Sequence, residues 1–206
     1  MTLLDALDYA SVFVFALTGA LAASRAQLDI VGFGFVAALT AVGGGTVRDV
    51  VLDRNPVFWV AQPAFIGVAV AAAVIVFLTA HRLESRLRVL TWLDALALSV
   101  AVPAGVGVSL ATGQHWGVTL LMGVATGAFG GLMRDVVCNE VPLVLKQGEL
   151  YVTAALTGAA AAVAALAALP VGAALLLCAA VTFALRAGSL LFGWRLPVYR
   201  SRPPRQ

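Results

Sequence analysis

Long apolar stretches alternate with short polar connections along the whole chain. A helix needs about 20 apolar residues to cross the hydrocarbon core of a bilayer. On that measure seven candidate spans stand at about 7–23, 30–51, 63–80, 93–111, 117–137, 151–169 and 171–192. The stretch from Tyr151 to Leu185 carries no charge and is too long for one crossing. Leu169-Pro170-Val171-Gly172 divides it, because Pro and Gly punctuate helices. Trp59, Trp92, Trp116 and Trp194 fall near span ends, as interfacial aromatics do. The pattern predicts an all-α integral membrane protein with seven transmembrane helices.

Composition agrees with that reading. The 206 residues are 62% hydrophobic and 11% charged, whereas a soluble domain carries about 25% charged residues. The net charge of +3 does not mark a nucleic-acid surface, since the basic residues sit in short tracts between apolar runs. Residues 1–26 have Asp5 and Asp8 but no Lys or Arg before Arg25. A secretory signal opens with a basic region, so this segment reads as the first span. Arg25, Arg82, Arg86, Arg88, Lys146, Arg195, Arg200, Arg202 and Arg205 fall on one side of the predicted membrane. Arg54, with Arg48 nearby, falls on the other. The positive-inside rule then places the N-terminus outside and the C-terminus in the cytoplasm.

A repeat organises the chain. Arg48 and Arg134 lie 86 residues apart, and the same offset pairs Asp49 with Asp135, Gly44 with Gly130 and Gly45 with Gly131. It also pairs Pro56 with Pro142, Asp8 with Asp94 and Gly19 with Gly105. Coincidences of Arg, Asp and Pro carry weight here because those residues are scarce. The chain therefore reads as one membrane domain: a three-helix unit over about 5–80, its copy over about 91–169, a seventh helix over about 171–192 and a basic tail at 193–206. Three crossings are an odd number, so the copies have inverted topology about a pseudo-twofold axis in the membrane plane.

The repeated residues suggest chemistry. Glycine weakens a helix and lets another backbone approach closely. Gly43, Gly44 and Gly45 in the second span, with Gly130 and Gly131 in the fifth, therefore read either as kinks exposing carbonyls to a permeant cation or as close-packing sites. Arg48-Asp49 and Arg134-Asp135 follow within a turn and read as snorkelling anchors or as charged elements at the mouths of a pathway. Asp8 and Asp94 read as entrance carboxylates or as groups stabilising helix N-termini. Pro103 is expected to kink the fourth span, and Arg186 to snorkel from the seventh. Cys138 and Cys178 fit no metal spacing and read as unpaired thiols; no metal site and no cofactor are expected. The sequence has no Ser-His-Asp set, HExxH, Walker motif or CxxC, so no enzyme is expected.

The stretches "GGGTVRDVVLDRNP" and "GGLMRDVVCNEVP" resemble the paired signature of the prokaryotic TRIC family, the trimeric intracellular cation channels, also catalogued as putative glycine transporters. The resemblance covers Asp5 to about Leu191. It implies a homotrimer in a bacterial inner membrane, each subunit passing monovalent cations with K⁺ favoured over Na⁺. The pore would be shaped by glycine-kinked helices that correspond to Gly43–Gly45 and Gly130–Gly131. Animal members carry a lysine-containing motif linked to phosphoinositides; Arg134-Asp135 stands in that neighbourhood here, and specific phosphoinositide binding is not carried over. Two competitors remain: a secondary transporter of a small zwitterion such as glycine, and a non-conducting scaffold.

Overall fold

The computed structural model describes residues 2–82 and 85–197. Arg200, Arg202 and Arg205 of the basic tail lie outside them. The helices are α1 (Leu3–Arg25), α2 (Ile30–Val51), the four-residue α3 (Phe58–Ala61), α4 (Ala64–Thr79), α5 (Arg86–Ala111), α6 (Trp116–Val137), α7 (Val152–Ala165) and α8 (Val171–Phe192). Short 3₁₀ turns cover Ala80–Arg82 and Leu143–Leu145. Among the described residues the extended backbone pairs only in an isolated bridge between Glu149 and Arg195. Among the described residues six helices are long and apolar enough to span a bilayer: α1, α2, α4 with its 3₁₀ turn, α5, α6 and α8.

Three predicted spans differ in extent. The first, expected over 7–23, runs over Leu3–Arg25 from a capping box at Thr2 and Asp5. The fourth begins at Arg86, seven residues earlier than hydropathy placed it, because Ser85 caps the helix by accepting from the Arg88 amide at 3.4 Å. The sixth, expected over 151–169, is helical only over the 14 residues Val152–Ala165, about 21 Å at 1.5 Å per residue. Residues 166–168 close into tighter turns, with Ala167 and Ala168 bonding three residues back at 3.3 and 3.0 Å. Pro170 then stands as the N-cap residue of α8.

Helix ends reveal the repeat more finely than composition does. After α1, Gln27 takes a left-handed conformation (φ 57°), and after α5 so does Gly113 (φ 71°), 86 residues on. After α2 and α6 the same role falls to Asp53 (φ 51°) and Asn139 (φ 54°). Each turn closes with the bond of a left-handed helix cap. Leu28 N–H donates to Ala23 at 3.1 Å, and Gln114 N–H to Ser109 at 3.2 Å. Arg54 N–H donates to Asp49 at 2.8 Å, and Glu140 N–H to Asp135 at 2.8 Å.

The same symmetry governs packing. α1 lies against α2, α4 and α5, while α5 lies against α1, α6 and α8. Gly19 of α1 admits the Thr40 side chain of α2: a Cβ there would stand 2.6 Å from Thr40 Oγ1 and 2.7 Å from the Val36 carbonyl. Gly105 of α5 does the same for α6, where a Cβ would stand 2.5 Å from Thr126 Oγ1. The threonines are held alike, Thr40 Oγ1 donating to Val36 O and Thr126 Oγ1 to Met122 O, each at 2.6 Å.

The halves meet where α2 crosses α6. Gly44 seats the Thr126 carbonyl, and Gly130 seats the Thr40 carbonyl. Residue 44 facing 126 while 40 faces 130 makes the helices antiparallel and relates them by a twofold axis between them. This is the inverted three-plus-three arrangement, with α8 added to the second half.

Of the two readings of the glycines, close packing has direct contacts behind it. α2 and α6 run as continuous helices through Gly43–Gly45 and Gly130–Gly131. Gly44 and Gly130 serve close approach of two backbones, in the manner of small-residue interfaces in membranes. α5 likewise remains one helix across Pro103. We expect Gly44→Ala and Gly130→Ala each to cost about 1–3 kcal/mol through overpacking against a rigid carbonyl. Gly34→Ala and Gly67→Ala, where an added methyl meets nothing within 4 Å, should be neutral or stabilising. Thermal unfolding of the four variants in detergent checks the contrast.

Candidate functional site

Each half encloses an arginine in a cage of carboxylates. In the first half Arg48 projects from the last turns of α2. Its Nε donates to Asp49 Oδ1 at 2.8 Å and its Nη1 to Asp8 Oδ1 of α1 at 3.0 Å. The connection after α2 folds back beneath it, so that Phe58 N–H donates to Asp49 Oδ2 at 2.9 Å and Arg54 Nη1 to Asp49 Oδ1 at 3.0 Å. The Phe58 ring covers the guanidinium at 5.4 Å, a cation–π contact.

The second half repeats this core. Arg134 Nε donates to Asp135 Oδ1 at 2.7 Å and Nη1 to Asp94 Oδ1 of α5 at 2.9 Å. Leu143 N–H donates to Asp135 Oδ2 at 2.8 Å. Arg48, Asp49, Arg134 and Asp94 are fully buried, and Asp135 nearly so; the Asp8 side chain keeps 16% exposure.

Burying a lone charge is prohibitive, and an ion pair offsets its own desolvation only when geometry and hydrogen bonding are good. Each arginine meets this condition by binding one carboxylate next to it in sequence and a second from the neighbouring helix. The charged phrase is thus a tertiary clamp between the first two helices of each half. The snorkelling expectation is corrected: both guanidinium groups are enclosed by the protein. Asp8 and Asp94, read as entrance carboxylates or helix N-terminus stabilisers, are bonded to those arginines.

Other ionic contacts were not foreseen. Arg186, expected to snorkel, is fully buried; its Nη1 donates to Glu149 Oε2 at 3.2 Å, and its guanidinium lies 4.9 Å from the Tyr151 ring centre. Arg25 Nη2 pairs with Glu140 Oε1 at 3.1 Å, tying the end of α1 to the connection after α6. Tyr151, Glu149 and Arg186 have no repeat partner that the offset could expose. Their one signal was scarcity, a single arginine in an otherwise uncharged last span. Among the described residues no cluster of three or more His, Cys, Asp or Glu offers a metal site, and Cys138 and Cys178 are free thiols.

Comparison with known proteins places this architecture. The profile of the family described as "Glycine transporter" matches twice, over residues 5–81 and 91–167. The inner membrane protein YadS of Escherichia coli K12 is 39% identical over 158 residues, covering 74% of this chain and 73% of the relative. A UPF0126 membrane protein of Vibrio cholerae is 36% identical over 161 residues, 76% of this chain and 66% of the relative. Among solved structures, the TRIC trimeric intracellular cation channel orthologue from Rhodobacter sphaeroides superposes with a TM-score of 0.90 at 45% identity, covering 94% of this chain and 100% of that one. The chain belongs to the prokaryotic TRIC family. A prokaryotic TRIC channel solved in 0.5 M KCl is more distant in sequence, 26% identical, yet keeps a TM-score of 0.87 over 92% of this chain and 96% of that one. The protein is thus a multi-pass membrane protein of bacterial inner-membrane type, and the two profile matches coincide with the two cages of this TRIC family member.

Removing either caged arginine leaves two carboxylates facing each other in the bundle. We expect Arg48→Ala and Arg134→Ala to cost about 3–5 kcal/mol each and to sharply lower the yield of folded protein. Arg54→Ala, at a side chain 39% exposed, should cost about 1 kcal/mol or less. Size-exclusion profiles and thermal unfolding of purified variants measure the difference.

Proposed function

We propose that the protein is a passive channel for monovalent cations, K⁺ favoured over Na⁺, assembled as a homotrimer with one pathway per subunit between its inverted halves. The observation that carries this reading is the likeness to the cation channel orthologue over 94% of the chain at 45% identity. The site chemistry is compatible with rapid passage. Conduction needs several weak contacts in place of one deep site, and the α2–α6 crossing offers glycines, carbonyls and threonine hydroxyls. In this reading Gly43–Gly45 and Gly130–Gly131 shape the pathway, and Arg48-Asp49 with Asp8, and Arg134-Asp135 with Asp94, stand as fixed charges toward its two ends. The N-terminus lies outside and the C-terminus in the cytoplasm, a reading supported by the excess of basic residues in the connections of that side.

The rival is a secondary transporter of glycine, favoured by the description of the matching family. Such transporters commonly hold a substrate carboxylate at the N-terminus of a half-helix. The continuity of α2 and α6 provides no such terminus at the glycines, which favours the channel.

Reconstitution in liposomes bearing a K⁺ gradient separates the two. Protein-dependent dissipation of the gradient, with radiolabelled glycine counterflow at background, is expected. Glycine exchange without K⁺ leak would overturn the channel reading, and the absence of both fluxes would favour a scaffold.

A further inference from the structure

α5 and α8 meet closely toward one end of the bundle and leave a groove toward the other. Where α8 begins, Leu175 lies against Gly107 of α5, at which a Cβ would stand 3.1 Å from Leu175 Cδ1. Toward the end that carries Arg88, a cavity of about 430 Å³ opens on the outer surface of the pair, within the ~300–1,000 Å³ of ligand pockets. Arg88, Val89, Trp92, Leu93 and Leu96 of α5 line it, with Phe183 of α8.

The groove has the polarity of a leaflet. Arg88, Trp92 and Leu96 recur every fourth residue, so they stand one above another on a single face of α5. Arg88 to Leu96 spans about 12 Å at 1.5 Å per residue, most of the ~15 Å that one leaflet gives the hydrocarbon core. Arg88 lies in the first turn of α5 and is exposed. The tryptophan follows it, as at membrane interfaces, and the deep end is apolar and open, with Leu96 40% and Phe183 39% exposed. Residues 82–88 hold Arg82, Arg86 and Arg88 against Glu84, so the polar end is basic. Arg86 is turned inward, donating to the Ala80 and Ser24 carbonyls at 3.2 Å each. The first half has no such groove residues: 86 positions earlier stand Thr2, Ala6 and Ala10, and α8 has no counterpart.

We propose that this groove binds one anionic phospholipid, its phosphate on Arg88 and an acyl chain along Trp92, Leu96 and Phe183. Arginine suits phosphate because its planar fork offers paired N–H donors. A zwitterionic headgroup brings its own cation to compete for that phosphate, whereas an anionic one leaves the charge to the protein. A cation at the rim fits a lipid headgroup better than a second subunit, since the cores of protein interfaces are depleted of charge. The site requires only that the chain spans a bilayer and does not depend on ion conduction.

Trp92 reports on the groove it lines. The full chain is reconstituted in phosphatidylcholine vesicles with rising fractions of phosphatidylglycerol or phosphatidylcholine whose chains are brominated, since bromine quenches indole fluorescence on contact. The Trp92 signal is the difference between each protein and its Trp92→Phe form. Brominated phosphatidylglycerol should half-quench it at about a fivefold lower mole fraction than brominated phosphatidylcholine, the preference one basic residue gives at an anionic surface. Arg88→Gln should bring the two curves together, and Arg82→Gln, in the same tract but outside the groove, should keep them apart. Where Trp92→Phe does not fold, thermal unfolding gives the same contrast: added phosphatidylglycerol should raise the Tm of the protein and of Arg82→Gln, and not of Arg88→Gln. Equal quenching by both lipids overturns the site in favour of ordinary boundary lipid. A preference lost equally in both arginine variants overturns it in favour of general surface attraction. A Trp92 that neither lipid quenches overturns it as well, the groove then being closed by a second subunit.

Discussion

The structure depends on two arginines that lie where neither lipid nor water can satisfy them. A guanidinium inside a membrane helix is costly on any scale, and the fold answers that cost twice in the same way. Arg48 and Arg134 each draw one carboxylate from the next residue and one from the preceding helix. This requires α1 to lie against α2 and α5 against α6 at a fixed depth, because an axial slip would part Asp8 from Arg48. Apolar contacts among Ala, Val and Leu set no register of their own. The ion pairs therefore determine alignment, and the small residues then let the helices close upon it.

Connection geometry follows from the same carboxylates. Asp49 and Asp135 each use their second oxygen to hold an amide from the segment after the helix. The chain must turn sharply to present it, which the left-handed Asp53 and Asn139 accomplish. The two turns differ in length by one residue, since the bonded amide is nine residues after Asp49 but eight after Asp135. Offset 86 thus governs the helices and caps and lapses where the halves begin to diverge.

Much of this was legible in the sequence. Hydropathy located the spans, with α2 and α8 bounded as predicted, and the shared offset of Arg, Asp and Gly revealed the duplication. The pairing of Asp8 with Asp94 by that offset already contained the cage, yet it read as two separate roles. Sequence spacing cannot tell which faces of adjacent helices meet, and residues 8 and 48 are 40 apart. At the glycines the sequence left packing and kinking open. Tertiary contact between Gly44 and the Thr126 carbonyl, and its mirror, accompanies unbroken helices. Propensity yielded to packing, as it does when burial supplies what local preference lacks. Arg186 stayed hidden because α8 belongs to no repeat.

That seventh helix is what makes the halves unequal. α8 packs against α5 and α7, and with Arg186 over Tyr151 it covers the second cage on a side for which the first has no equivalent. Asp94 is fully buried, whereas the Asp8 side chain keeps 16% exposure. A perfectly symmetric inverted pair would present the same chemistry to both sides of the membrane. Here Glu140 stands at the position of Arg54, and Phe58 covers Arg48 while Tyr151 faces Arg186, so the two halves differ in their outer contacts. Direction across the membrane is therefore written in the few residues by which the copies differ, while stability is written in those they share.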